Sequence, residues 1–541
     1  MVWLRFIVLL SVLFLVGCQD SAPPPPKLTG PAKPAYGDAL VEGSIGDASN
    51  LIPYIASDSA SSSVTGLVYN GLLKIDKNLE LAPSLAESWE VSDDGLTITF
   101  HLRKGVRWHD NVPFSVEDVM FTYNFVIDPN TPTPYAGDFQ QVTKAEILGP
   151  YTFRVHYDQP FARSLYSWVG DILPQHLLEG QDVRGSPLAR HPIGTGPFKF
   201  LNWETGSRIE LAANDDYFEG RPYLDRILYR IIPDLATMFL ELQAGNVDSM
   251  GLTPIQYDRQ TDKPEFKARF NKYRYPSSGY TYLGYNLRLP LFADRRVRQA
   301  LSHAIDTSEI IEGVLLGYGR PATGPFKPDT WAYDPGLKPY PFDPERAKDL
   351  LAQAGWEDHD GDGSLDKDGQ PLEITILTNQ GNSSRLKTAV IIQYRLGQIG
   401  IKVKVRAVEW AALLKEFIDK QRFEALVMGW SLPADPDPYA VWHSSKTFAG
   451  GLNFVGYENP EVDELLEAAR RTFDQEMRQK AYFRFQEILR TDQPYTFLYV
   501  PDALPVVANR FYGIEPAPAG IGHNMIRWYV PQELQKYQFQ P

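Results

Sequence analysis

Between Leu96 and Arg103 apolar and polar residues alternate, with Leu96, Ile98, Phe100 and Leu102 on one face. That period of two predicts a half-buried strand. Ser115 then precedes Val116, Val119, Met120 and Tyr123, a hydroxyl cap followed by a helical stripe. Ile227 to Ile232 reads as a strand, and Pro233-Asp234 opens a helix whose Leu235, Met238, Phe239 and Leu242 share one side. Gly245 ends that helix and Asn246-Val247-Asp248 starts another strand, which completes a βαβ unit. A second unit comes later: a strand over Glu373 to Thr378, a helix over Arg385 to Ile399, a stop at Gly400, and a strand over Ile401 to Val408. A helix near Trp410 to Ile418 and the apolar strand Phe423 to Met428 follow, and Asp343-Pro344 caps a helix that runs to Gly355.

Two separate α/β regions joined by long segments imply two lobes with a crevice between them. No internal repeat is visible. In open α/β sheets a ligand sits beyond the carboxyl ends of the strands. In the second region two segments occupy that position: Asn379 to Ser384, and Gly429-Trp430-Ser431, read here as a loop after its strand.

The chain ends refine the picture. Met1 to Arg5 is a short basic start, and Phe6 to Val16 an apolar run interrupted by Ser11. The run is too short to cross a bilayer core of roughly 30 Å as a helix, and matches the core of a signal peptide. Leu15-Val16-Gly17-Cys18 resembles the bacterial lipobox, so residues 1–17 are expected to be removed and Cys18 acylated. Cys18 is the single cysteine, which leaves no disulfide framework and no CxxC site. Residues 18–35, with Pro23-Pro24-Pro25-Pro26, read as a stiff tether that holds the globular part roughly 50 Å from the membrane. What remains is longer than one core usually covers. The formal net charge of −14 leaves no basic footprint for nucleic acid. Aromatic residues make up 13% of the chain, more than cores alone require, and aromatic-rich clefts are common ligand sites.

Five blocks in order carry a resemblance: LAESWEVSDDGLTITFHLRKGVRWHD (Leu85 to Asp110), PIGTGPFKF (Pro192 to Phe200), PDLATMFLELQAGNVD (Pro233 to Asp248), YLGYNLRLPLFADRRVRQALSHAID (Tyr282 to Asp306) and GWSLPADPDPYAVWHS (Gly429 to Ser444). At these spacings the chain resembles the oligopeptide/dipeptide-binding family of ABC-importer receptors over nearly its whole length after the tether. The resemblance implies an α/β fold of the periplasmic-binding-protein type II kind, with two hinged lobes and an inserted third domain. Carried over, residues 36–75, 193–280 and 495–541 make lobe I, 76–192 the inserted domain II, and 281–494 lobe III. It also implies a peptide ligand held by strand-like hydrogen bonds, delivery to the permease subunits of an ABC importer, a monomer, and a place in the bacterial envelope, periplasmic or on the outer surface. An oligosaccharide or a nickel chelate is the alternative solute.

Gly429, Trp430 and Ser431 are the leading ligand-binding candidates, followed by Tyr285 and Asn286, which match a cleft-lining family position, and by Asn50 and Tyr54 in the loop Ser49 to Ile55. One position departs from the family. Where di- and oligopeptide receptors place an aspartate for the ligand's amine, three residues after the Trp, this chain has Pro433; Asp435 and Asp437 lie just beyond.

Asp358, Asp360 and Asp362 stand at the i, i+2, i+4 spacing of a calcium loop, with Gly363 at the turn and Asp366 beyond. Gly369 occupies the position of the bidentate Glu, so any calcium here would be structural, and no other cofactor is expected. GxSxG, HExxH, Walker A and dinucleotide fingerprints are absent in context, and the 9 His show no ligand spacing, which argues against an enzyme.

Overall fold

The computed structural model describes residues 32–539. The leader, Cys18 and most of the tether lie outside these residues. The first sheet has seven strands, in the order Phe270–Lys272, Pro505–Ala508, Ser249–Gly251, Ala39–Ser44, Arg226–Ile231, Arg208–Ala213 and Phe198–Glu204. Ala39–Ser44 runs parallel to both Arg226–Ile231 and Ser249–Gly251, so the first βαβ unit crosses over it. The crossover helix Leu235–Ala244 is capped by Asp234, whose carboxylate accepts from Thr237 N, and stops at Gly245 with φ +81°. Only glycine enters that left-handed region without cost.

The second sheet has Gly279–Tyr285 at its centre, between Tyr495–Ala503 and Ala425–Ser431, followed outward by Glu373–Asn379 and Lys402–Val408. Its inner strands Gly279–Tyr285, Ala425–Ser431 and Glu373–Asn379 are buried on both faces: Leu283, Ile374, Ile376 and Val427 enter one apolar cluster, and Tyr282, Leu377, Leu426 and Met428 another. Two-sided burial explains why Ala425 to Met428 reads as a continuous apolar run instead of an alternation. A third, antiparallel sheet orders Ala86–Val91, Thr97–Leu102, Thr152–Tyr157 and Val142–Gly149. The predicted alternating strand is its second member, with Ile98, Phe100 and Leu102 inward. Helix Val116–Ile127 covers it and starts with a capping box between Ser115 and Asp118.

The chain passes between the two large sheets twice, and the passages lie side by side. Phe270–Lys272 pairs with Pro505–Ala508 in the first sheet, and Tyr275–Pro276 pairs with Tyr495–Ala503 in the second. Tyr273 N donates to Pro505 O at 2.9 Å between them, which makes one antiparallel ribbon. This corrects the boundary expected at residue 495. Tyr495–Ala503 belongs with the second sheet, because Tyr495 stacks on Tyr282 at 4.0 Å and the strand pairs with Gly279–Tyr285. The chain returns to the first sheet only after Ala503.

The PIGTGPF turn has a steric reason. Gly196 N donates to Val68 O at 2.8 Å, and a Cβ on Gly194 would lie 1.8 Å from that same carbonyl oxygen. Gly194→Ala is therefore expected to destabilise the fold by about 1–3 kcal/mol or more, the cost of forcing an extra carbon into packed backbone. Chemical denaturation reads the change, and wild-type stability in the variant contradicts the account.

Candidate functional site

A cavity of about 1120 Å³ opens where the three sheets meet. Ser44 to Gly46, at the carboxyl end of Ala39–Ser44, form one wall with Ser59, Ser62 and Ser63 of the helix Ser59–Val68. Tyr135 to Phe139 and Tyr166 to Gly170 come from the segment that carries the small sheet. The second large sheet contributes Gly279 to Tyr282, Asn379 to Arg385 and Met428 to Leu432. Asp58 caps the first wall by accepting from Ser61 N at 2.9 Å, and it also accepts from Trp410 Nε1 of the opposite wall at 3.5 Å.

Gly429, Trp430 and Ser431 all line this cavity. They are not a loop after the strand, as the sequence implied, but its last three residues, facing Thr281, Tyr280 and Gly279 across an antiparallel ladder. Pairing with Gly279–Tyr285 extends the strand past Met428. The Trp430 ring lies over Phe454 with centroids 5.6 Å apart, and its Nε1 donates to Tyr495 Oη at 3.3 Å. It is held as a wall, with its donor already used. Gly429 gives room to Arg385, whose Nη2 would lie 2.7 Å from a Cβ there. Arg385 donates to Asn379 Oδ1 at 3.0 Å.

The cavity's rim away from the ribbon is held by charge. Asp138 and Arg163, beside the small sheet, meet Asp435, Asp437, Arg470 and Arg478 of the second large region. Arg470 reaches Asp138 at 2.6 Å, while Arg163 reaches Asp435 at 3.2 Å and Asp437 at 3.3 Å. Arg478 holds Asp435 at 2.8 Å from its own side. Ala162 N also donates to Arg470 O at 2.7 Å. The Asp435 and Asp437 side chains are only 3% exposed, so both carboxylates are committed to arginines.

The model of bacterial extracellular solute-binding proteins, family 5, matches residues 80–451. The chain is 36% identical over 538 residues to the oligopeptide-binding protein AppA of Bacillus subtilis, covering 97% of each. Among solved structures, AppA from Bacillus subtilis in complex with a nonapeptide superposes with a TM-score of 0.88 at 35% identity, covering 92% of this chain and 100% of that one. The ABC transporter-associated periplasmic binding protein DppA from Helicobacter pylori, in complex with the peptide STSA, gives 0.82 at 30% identity, covering 92% and 99%. The chain belongs to family 5 of the bacterial extracellular solute-binding proteins. It is a binding protein and not an enzyme.

Within this family 5 fold the remaining candidates separate. Tyr54 lines the cavity in a left-handed conformation, φ +69°, with its ring edge-on to Phe139 at 5.9 Å. Tyr285 does not line it: the ring is buried against Phe292, and the hydroxyl bonds Thr496 Oγ1 at 2.6 Å. Asn286 is likewise structural, donating to Phe423 O at 2.9 Å and Gln421 O at 3.2 Å. Asn50 turns its carbonyl onto Ile52 N at 2.8 Å and stays outside the lining. The Asn286 and Asn50 side chains serve backbone groups that folding would otherwise leave unpaired. Asp358, Asp360 and Asp362 bring their carboxylates within 4.8 Å of one another on the surface, remote from the cavity lining. Asp366 does not join them; it begins a short hairpin and pairs with His359 at 3.2 Å. Sequence reading noted Asp435 and Asp437 but missed Arg385 and the rim's other members, since nothing local links Asp138 and Arg163 to Arg470.

Burial pushes the Asp138 carboxyl up, but Arg163 and Arg470 pull it further down, to a net position below its ordinary 3.8. A depressed carboxylate contributes stability that is complete above the ordinary range and is lost as pH falls through the lowered value. Stability should therefore decline below about pH 4 as Asp138 is protonated. Arg470→Met leaves Asp138 and Asp437 to share Arg163, so three buried carboxylates face two arginines, and it is expected to cost about 3–5 kcal/mol at neutral pH. Denaturant titrations at pH 7 and pH 3 check both statements; equal wild-type stability at the two pH values contradicts the first, and equal stability of variant and wild type at pH 7 the second.

Proposed function

We propose that this protein captures oligopeptides and delivers them to the permease subunits of an ABC importer. The size of the cavity carries the reading. At about 1120 Å³ it exceeds the roughly 300–1,000 Å³ of pockets that take small molecules, so it accommodates an extended chain. AppA, similar to this chain over nearly its full length, holds a nonapeptide. The segment 76–192 serves as the inserted domain that closes one side. A peptide that touches all three walls does so only when the lobes are together, and this differential contact drives closure.

Trp430→Ala removes an aromatic wall and is expected to weaken binding of a nonapeptide about thirtyfold, the effect of losing about 2 kcal/mol at a buried contact. Calorimetry on the folded variant checks this, and unchanged affinity removes Trp430 from the site. Because Asp435 and Asp437 are bound to arginines, acetylating the peptide's amine should cost less than about threefold, far below the loss of a buried charge pair. A larger loss would show that another carboxylate on the wall, Asp419 or Asp58, takes the amine.

We further propose that Cys18 anchors the protein by acyl chains on the outer face of a bacterial membrane, on the strength of Leu15-Val16-Gly17-Cys18 and the proline-rich segment after it. Among the described residues no helix is long and apolar enough to cross a membrane. In detergent phase partition the wild type is expected in the detergent phase and Cys18→Ser in the aqueous phase. Wild type in the aqueous phase, unacylated, overturns the anchor.

A further inference from the structure

Beside the main cavity lies a second pocket of about 290 Å³. The two share Ser44, Ile45, Gly46, Ala60 and Ser63, so one opens beside the other at the carboxyl end of Ala39–Ser44. The side pocket is lined by Val64, Ile209, Ile231, Leu235 and Met238, and among these apolar groups stands Glu42. Glu42 belongs to the central parallel strand of the first sheet, opposite Tyr229 in the register. Tyr229 does not satisfy it, because that hydroxyl donates to Ser63 O at 3.1 Å.

A carboxylate in a largely apolar pocket is costly unless a cation or donors compensate it. Glu42 is half-buried, no side chain or backbone group among the described residues hydrogen-bonds or ion-pairs with its carboxyl, and the surrounding apolar groups push that carboxyl up to about 7. The contrast with the rim is direct, since there each buried aspartate has an arginine. The unpartnered carboxyl stands in a pocket that opens beside the ligand cavity.

We propose that this pocket is a subsite for a basic side chain of the bound peptide, with the aliphatic stem against Val64, Ile231 and Met238 and the cation on the Glu42 carboxylate. Lysine fits this chemistry because its stem is apolar and its charge terminal. The inference rests on the peptide reading and adds a residue preference to it.

The test uses nona-alanine peptides carrying a single lysine at each position in turn, paired with the same peptides carrying norleucine, which keeps the stem and lacks the ammonium. Calorimetry on the wild type is expected to find a position where lysine binds about tenfold tighter than norleucine, the effect of one charge-assisted contact. In Glu42→Gln that ratio should fall to within about twofold, since the acceptor loses its charge. Ala60→Lys, which puts a resident ammonium at the mouth while Glu42 stays, should remove the preference in the same way. Peptide binding with no lysine preference, or a preference that survives in both variants, overturns the subsite and leaves the peptide reading intact. Failure of every peptide to bind the wild type overturns that reading, and the subsite with it.

Discussion

The antiparallel ribbon that pairs Phe270–Lys272 with Pro505–Ala508 and Tyr275–Pro276 with Tyr495–Ala503 is the constraint on which the site depends. A hydrogen-bonded pair of strands resists sliding of one sheet past the other. It concedes rotation through a few dihedrals at the strand ends, the hinge type of domain motion. The cavity walls therefore meet in one register, and Ser44 to Gly46 face Trp410 and Asn379 to Arg385 without any direct chain connection between them.

Away from the ribbon, the rim is held by charges of both signs in near-equal number. Asp138, Asp435 and Asp437 are matched by Arg163, Arg470 and Arg478. Bringing such groups out of water costs free energy that their mutual attraction only roughly offsets. A rim of this kind specifies how the lobes meet more than it stabilises their meeting. The balance between open and closed is then left to the ligand, as a receptor that must also release its cargo requires. Glu42 breaks the pattern of the rim, a carboxyl in an apolar pocket with no partner among the described residues.

The fold was legible wherever one face of an element is buried and the other is wet. Leu96 to Arg103 and the helix after Ser115 show this, because burial and period coincide there. Capping chemistry marked Asp234 and Asp343 just as clearly. The second sheet was harder, since strands covered on both faces carry no alternation, and the strand expected to end at Met428 runs on to Ser431. Its extension is a property of the partner strand, not of Gly429 to Ser431 themselves. Tyr285 and Asn286 lie next to the cleft in sequence terms, but their side chains turn to Thr496 and to the carbonyls of Gln421 and Phe423.

The sequence by itself determined the α/β character, the main helices and strands, the glycine turn at Gly194 to Gly196, the cavity-facing run Gly429 to Ser431 and, through five ordered blocks, the family. These are matters of local period, capping and motif spacing, which a linear chain records. Tertiary structure alone decided that Tyr495–Ala503 sits with the second sheet, that Asp435 and Asp437 answer to Arg163, Arg470 and Arg478, and that Glu42 stands in an apolar pocket without a partner among the described residues. Each of these depends on which groups from distant parts of the chain share one low-dielectric space. Charge pairing and desolvation act through space, and the order of residues does not encode that distance.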